Sequence, residues 1–460
     1  MTPGLVHKVF AGMSRTEEVR KRLHDIVVEG SLANVFITFT GGVFITGLAL
    51  MLGANDFEIG FLAALPFIAQ IAQLGSDYVA GFFRNRKTAV RDLSAFSRQI
   101  WWLLPLVLLL PGGWDLEIML LVVLVSNVGI MTATPAWMAW MADIVPEKIR
   151  GRFFGVRSAM LAVIAVVTAL AGGMILDIAR KNGHESLGFG IIIVISCLCA
   201  AAALVVLNKI PDPWRKDPSL NFTWARLWEP LTNRSFRRLL QVFLAWNLSI
   251  GIAAPFFAPH MLTNLKMSFT LIAVYSGVAS LSAVLLNKPW GTLIDRFGSK
   301  PVVALCGFGV AFVPFLWLIP RAGSLWILAF EAVYSGALWA GFNLAAFNIP
   351  IANSPRSNRS FYLAFFNVVT GLAFFSASVL GGVLAEMWKD VSWMVGPQKI
   401  VNYHLLFVVS GILRLIAAGL ILTFHEVHEK SVPIMVQFMG YAILKKISVG
   451  RQLFPKSHRE

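Results

Sequence analysis

Long apolar runs separated by short charged segments set the pattern of this chain. Runs long enough to cross the ~30 Å hydrocarbon layer of a bilayer occur at roughly 26–53, 57–82, 93–111, 116–142, 154–178, 187–208, 237–262, 267–288, 301–320, 324–349, 360–386 and 401–424. The pattern predicts an all-α membrane protein of about twelve transmembrane helices, because a strand barrel would show short alternating segments instead.

The runs repeat at a spacing near 210 residues. Pro146-Glu-Lys-Ile-Arg150 precedes the fifth run, and Pro355-Arg-Ser-Asn-Arg359 precedes the eleventh, 209 positions later. Gly172-Gly173 recurs as Gly381-Gly382, and Asp177 as Glu386, at the same offset. Asp56-Phe57 and Ser268-Phe269 open the second and eighth runs 212 positions apart, with Asp56 and Ser268 expected as N-caps. Matches in chain order across several helices predict two pseudo-symmetric six-helix bundles. The expected organisation is a cytoplasmic segment at 1–25, bundles at 26–208 and 237–425, a linker at 209–236 and a tail at 426–460. The linker is broken by Pro211, Pro213 and Pro218. Its Trp214, Trp224 and Trp228, beside Arg215, Lys216 and Arg226, favour the membrane interface. In the tail, Val432 to Ser448 alternates apolar residues with Lys445 and Lys446. It reads either as an interfacial amphipathic helix or as a loosely ordered basic end.

Composition agrees with this pattern: 57% of residues are hydrophobic, 14% are charged and the mean hydropathy is +0.71. The formal charge of +15 is topological. With the N-terminus in the cytoplasm, about 32 Lys and Arg fall in cytoplasmic segments and about six on the other side, a positive-inside bias. Both termini are therefore expected in the cytoplasm, in a multi-pass protein of a bacterial inner or plasma membrane. Nucleic acid is not an expected partner. Met1 to Arg22 lacks the short apolar core of a cleavable signal, so the first span is expected to direct insertion. Cys197, Cys199 and Cys306 lie in apolar runs and imply packing, without disulfides or metal. His425 and His428 lack further ligands, and no G-x-x-x-x-G-K-[ST] loop is present, so neither a metal nor ATP or another cofactor is expected.

Between the eighth and ninth runs the chain reads Gly291-Thr-Leu293-Ile-Asp295-Arg296-Phe-Gly298-Ser-Lys300-Pro301, a charged, glycine-punctuated segment expected to reverse tightly at the membrane surface. It resembles the cytoplasmic loop signature G-x-L-x-D-R-x-G-x-K-x of the major facilitator superfamily. The resemblance covers about Asp25 to Phe424, and Trp137 to Gly155 is similar to a bacterial branch of the same family. It implies two bundles that rock about a central site, a small-molecule substrate, and no covalent chemistry. The first-half counterpart departs from the signature: Arg84 matches Arg296, but Phe83 stands where Asp295 stands. Asp77, facing Arg98, is the candidate substitute.

Arg150, Arg152 and Arg157 crowd the positive end of the fifth helix and call for an acid. In the resembling family the loop after span eight packs against that helix end, which implies a gate of Gly291, Asp295, Arg296, Gly298 and Lys300 with Arg150, Arg152 and Arg157. The alternative is that these bases enforce topology or bind lipid phosphate. Within spans, Glu331 and Arg414 are costly to bury. They either pair, or Glu331 is a protonatable coupling site, with protons the candidate coupling ion and Arg414 structural. Asp177 and Glu386 are expected at the membrane interface.

The family geometry implies that spans one, four, seven and ten line the central site. Their polar and aromatic residues are Asn34 and Thr38; Asn127, Trp137 and Trp140; Trp246 and Asn247; Trp339 and Asn343. Gln70 and Gln73 on span two join them. Each has an alternative as a helix-to-helix hydrogen bond. Amides and indoles without a cluster of bases imply a neutral or amphipathic organic solute. The expected function is secondary active transport by alternating access, in a monomer. The alternative is a transporter-fold receptor without net flux.

Overall fold

The computed structural model describes residues 17–83, 85–110, 112–212, 229–355, 358–424 and 432–439. The linker tryptophans and bases, Arg84, His425, His428, Lys445 and Lys446 lie outside the described residues, as does the Asp77 side chain.

Among the described residues twelve long helices follow one another: α1 (Glu17–Met51), α2 (Asp56–Gly75), α3 (86–109), α4 (Asp115–Ile144), α5 (Glu147–Lys181), α6 (Glu185–Leu207), α7 (Arg234–Asn264), α8 (Phe269–Phe297), α9 (Ser299–Leu316), α10 (Trp326–Ala352), α11 (Arg359–Met387) and α12 (Asn402–Ile421). A short helix α13 covers 432–439. Among the described residues, eleven helices are long and apolar enough to cross a membrane. The exception is α3, whose first half, Arg86–Gln99, is amphipathic and charged. A 3₁₀ turn at Ile100–Trp102 joins it to the apolar Leu103–Leu109. Between α11 and α12 an antiparallel hairpin, β1 (Ser392–Val395) with β2 (Gln398–Val401), pairs Ser392 with Val401, a feature absent from the hydropathy pattern.

Local chemistry starts and stops these helices. Asn55 and Glu58 form a reciprocal capping box at α2, with bonds of 2.8 and 2.9 Å. Asp56, expected as the cap, is instead the first helical residue, and its carboxylate is left for tertiary contacts. Ser268 caps α8 as expected, accepting from Leu271 N at 3.1 Å. The charged segment after α8 is not an extended turn. Helix α8 runs through Gly291, Asp295 and Arg296 to Phe297, and Gly298 alone reverses the chain, at φ 93°. That backbone conformation is strained for any side chain with a Cβ.

The expected two-bundle arrangement is present, and the halves correspond in detail. Helix α1 breaks at Thr40-Gly41 and α7 at Ile252-Ala253, 212 residues later. The bundles meet along α2 against α11 and α5 against α8. Three apolar cores result. One, around Leu23, Trp140 and Phe153, belongs to the first bundle. A second, around Phe236, Trp290 and Phe342, belongs almost wholly to the other. The third joins Phe36, Phe44 and Phe189 to Phe256, Phe269 and Phe407, and so is shared by both. The shared core lies on the face remote from the chain ends, while the two private cores extend toward the face that carries them. The bundles therefore share one core on the remote face and keep separate cores on the other, the divided face.

Candidate functional site

A cavity of ≈540 Å³ opens between α8 and α10, lined among others by Ser280, Asn287, Ser335, Trp339, Asn343 and Phe347. Helical spacing places the lining. On α10, Ser335, Trp339, Asn343 and Phe347 follow one another at every fourth residue along a row that winds slowly round the helix. On α8, Ser280 and Asn287 are seven residues apart on one face, with Ala279 and Ala283 also on the wall. Gly336 lets α10 approach α8 closely: a Cβ there would collide with the Ala279 carbonyl. The described lining offers hydroxyls, amides and an indole on an apolar wall, with no acid or base.

Glu331 lies one turn beyond Ser335 and is 1% exposed. Tyr275 donates to its carboxylate, and Ser335 and Trp317 also face it. The possible pair with Arg414 is not formed. Arg414 is 2% exposed on α12, and its Nε has no partner among the described residues.

The other candidate residues separate into distinct groups. Trp339 and Asn343 line the cavity. Gln70 lies against Gly371 of the facing bundle, where a Cβ would stand 2.8 Å from its Oε1. Asn34 donates to Leu161 O at 2.8 Å, tying α1 to α5, and Gln73 donates to Met131 Sδ at 3.2 Å. Thr38, Asn127 and Asn247 each bond the carbonyl four residues back on their own helix. Trp140 and Trp246 lie inside their own bundles, away from this cavity. Trp140 is fully buried and donates to Pro211 O at 3.0 Å, whereas Trp246 stacks on Phe342 at 4.4 Å inside the second bundle. Trp137 carries the Arg157 guanidinium over its ring, 5.1 Å from the centroid.

That guanidinium belongs to a charged group the hydropathy pattern did not single out. Glu29, 3% exposed on α1, faces Arg98 of α3 at 3.4 Å, and Arg157 packs on Gly30 beside it. Arg98 was expected to face Asp77. Glu29 falls inside the first apolar run, so the rule that marked Glu331 as an acid within a span would have found it.

The residues expected to form a gate stay apart in this conformation. Arg150 donates to the carbonyls of Ala142 at 2.7 Å and Val145 at 3.4 Å. It thus caps the C-terminal end of α4, a favourable place for a cation. Arg152 and Asp295 are exposed. Arg296 lies 4.0 Å over the ring of Phe438 on α13, and Lys300 lies 5.6 Å over Phe424. In the first half, Arg86 pairs with Asp143 at 2.9 Å, and Lys87 Nζ reaches Asn208 O at 2.7 Å.

The remote face is clasped by residues the repeat had marked. Both Asp177 carboxylate oxygens accept backbone amides of α8, from Phe269 at 2.8 Å and Thr270 at 2.9 Å. A residue of one bundle thus caps a helix of the other. Gly173 allows this crossing, since a Cβ would sit 2.8 Å from Thr270 Cα. At its repeat mate Gly382 a Cβ would likewise stand 3.0 Å from Phe57 Cα. On that side Asp56 accepts from Tyr403 Oη at 2.5 Å and Asn402 Nδ2 at 2.7 Å. Glu386 bonds Lys389 Nζ at 2.8 Å, which raises the pKa of that ammonium above its ordinary value.

Comparison with known proteins gives the same assignment. The family model of the Major Facilitator Superfamily matches residues 30–253 and 247–446. The multi-drug resistance efflux pump PmrA of Streptococcus pneumoniae (serotype 4 strain) is 28% identical over 162 residues, 32% of this chain. The match spans only 38% of that relative's length. Multidrug resistance protein 2 of Bacillus subtilis is 21% identical over 411 residues, 86% of this chain and 94% of the relative. A solved D-xylose-proton symporter superposes with a TM-score of 0.67 at 15% identity, covering 88% of this chain and 98% of the symporter. Eleven apolar spans, the divided face and a family match over both halves make the chain an integral membrane transporter, not an enzyme, and it belongs to the major facilitator superfamily.

Proposed function

We propose that this transporter carries a small neutral or amphipathic organic solute by alternating access, as a monomer, with protons as the coupling ion. The carrying observation is the polar, uncharged cavity between α8 and α10, placed one helical turn from the buried carboxylate of Glu331. The positive-inside bias puts the divided face in the cytoplasm, which makes this conformation inward-facing. The solute enters between the private cores and bonds the amides of Asn287 and Asn343, with Trp339 as its apolar contact. Because Ser335 serves both the cavity wall and Glu331, occupancy and protonation of Glu331 compete for one hydroxyl. That shared group is the coupling. Glu29 beside Arg98 and Arg157 is a second acid through which a proton can act on the first bundle. The multidrug-resistance names of the two relatives favour amphipathic cargo and export.

Flux into proteoliposomes, with and without a proton gradient, tests the reading. For a solute first identified by thermal shift, gradient-driven accumulation is expected, and Glu331→Gln is expected to reduce it to the no-gradient level while exchange persists. Binding without flux would reject transport in favour of a receptor. Gradient-driven accumulation unchanged in Glu331→Gln would remove the coupling role.

A further inference from the structure

A second cavity, of ≈490 Å³, lies apart from the one between α8 and α10, where the first turns of α7 meet the end of α12. Arg234, Arg237, Arg238 and Gln241 line it from α7, and Thr423 and Phe424 from α12. The three arginines stand at i, i+3 and i+4, so their guanidinium groups are neighbours and repel one another. They also stand in the first two turns of a helix, whose positive end adds to the repulsion, most of all at Arg234. Among the described residues no carboxylate pairs with any of the three. The acid just before them, Glu229, is occupied by Asn358 at 2.7 Å and Tyr362 at 3.3 Å.

The pocket is organised around this charge. Arg238 donates to Thr423 Oγ1 at 3.0 Å, which fixes its fork across the cleft between the helices. Phe424, 4% exposed, belongs to the second bundle's core and supplies an apolar edge. The site lies where α7 enters and α12 leaves the apolar band. Arginine forks match the oxygens of phosphate, and an apolar edge at that depth suits the glycerol and first methylenes of a lipid.

We propose that this pocket binds the phosphate of an anionic phospholipid headgroup, bridging α7 and α12 outside the transport cavity. Phosphate is the shared chemistry, and the lipid is its abundant source at that boundary.

The full chain, in nanodiscs of phosphatidylcholine doped with phosphatidylglycerol, is the material for the test. Native mass spectrometry counts the anionic lipids retained. Wild type is expected to hold phosphatidylglycerol selectively. Arg237→Gln with Arg238→Gln is expected to bind it about 30-fold more weakly, at roughly 1 kcal/mol per base. The double change Lys21→Gln with Lys148→Gln removes the same charge from exposed positions elsewhere on the chain and is expected to retain wild-type binding. Thr423→Val, which frees the Arg238 fork without altering charge, is expected to weaken retention measurably and guards against misfolding of the arginine variant. Equal loss in the lysine control would reduce the effect to bulk charge and overturn the site. Stabilisation by inorganic phosphate in detergent, without lipid selectivity in nanodiscs, would overturn the lipid assignment.

Discussion

The two faces of the molecule hold their charges in opposite ways. On the remote face, charge is spent between bundles: Asp177 of α5 caps α8, and Asp56 of α2 bonds Tyr403 and Asn402. On the face bearing the chain ends, charge is spent within bundles: Arg150 caps α4, Arg86 pairs with Asp143, and Arg296 lies on Phe438. A rocking transporter needs such a difference, because each face must offer its charged groups a partner in both conformations. Arg150 shows how this works. Its donations to the C-terminal carbonyls of α4 hold the charge within the first bundle, with no acid of the other bundle drawn on.

The sharpest way to break the contrast is steric. Gly173→Val places a side chain against the Thr270 backbone, where the Cβ alone would be 2.8 Å away. It is expected to cost the clasped face about 1–3 kcal/mol and shift the population toward a conformation open on that face. Spin-label distances across α5 and α8 should lengthen there, and an unchanged distance distribution would count against the clasp. Next in size is Asp177→Ala, which strips two amides of their acceptor. A loss of about 1–2 kcal/mol in the same equilibrium is expected, read as increased labelling of cysteines introduced near Phe269. A smaller effect belongs to the other face. Asp295→Asn is expected to leave this conformation intact and weaken only the alternative one, by about 0.5–1 kcal/mol, lowering the transport rate and deepening the inward bias. If rate and accessibility stay unchanged, Asp295 has no gating role. Smallest is Phe438→Ala, which removes the ring under Arg296. A change of about 0.5 kcal/mol or less is expected, visible as faster hydrogen exchange in α13 with little change in flux.

Much of this architecture was legible in the chain because hydrocarbon enforces long apolar helices, and because duplication preserved paired glycines and acids at fixed offsets. The Gly172-Gly173 and Gly381-Gly382 matches identified equivalent places. That these places touch the opposite bundle depends on crossings that helical periodicity does not encode. On α10 the neighbours Trp339 and Asn343, one turn apart, could be picked out from the sequence, whereas Ser280 and Asn287 on α8 look like ordinary polar interruptions. Asn127 and Asn247 show the opposite limit, since an amide that bonds its own helix has the same sequence signature as one that faces a cavity. The third helix begins before its apolar run, because its charged first half finds partners: Arg86 with Asp143 at the surface, and Arg98 with buried Glu29.

The coincident breaks in α1 and α7 give the molecule an internal standard. Several positions in one half have a counterpart about 210 residues away, Gly173 with Gly382 and Asp177 with Glu386 among them. Twin substitutions, such as Gly173→Val beside Gly382→Val, can therefore be compared within a single preparation. Any inequality between the twins measures how far the two halves have diverged in their share of the motion since they were copies.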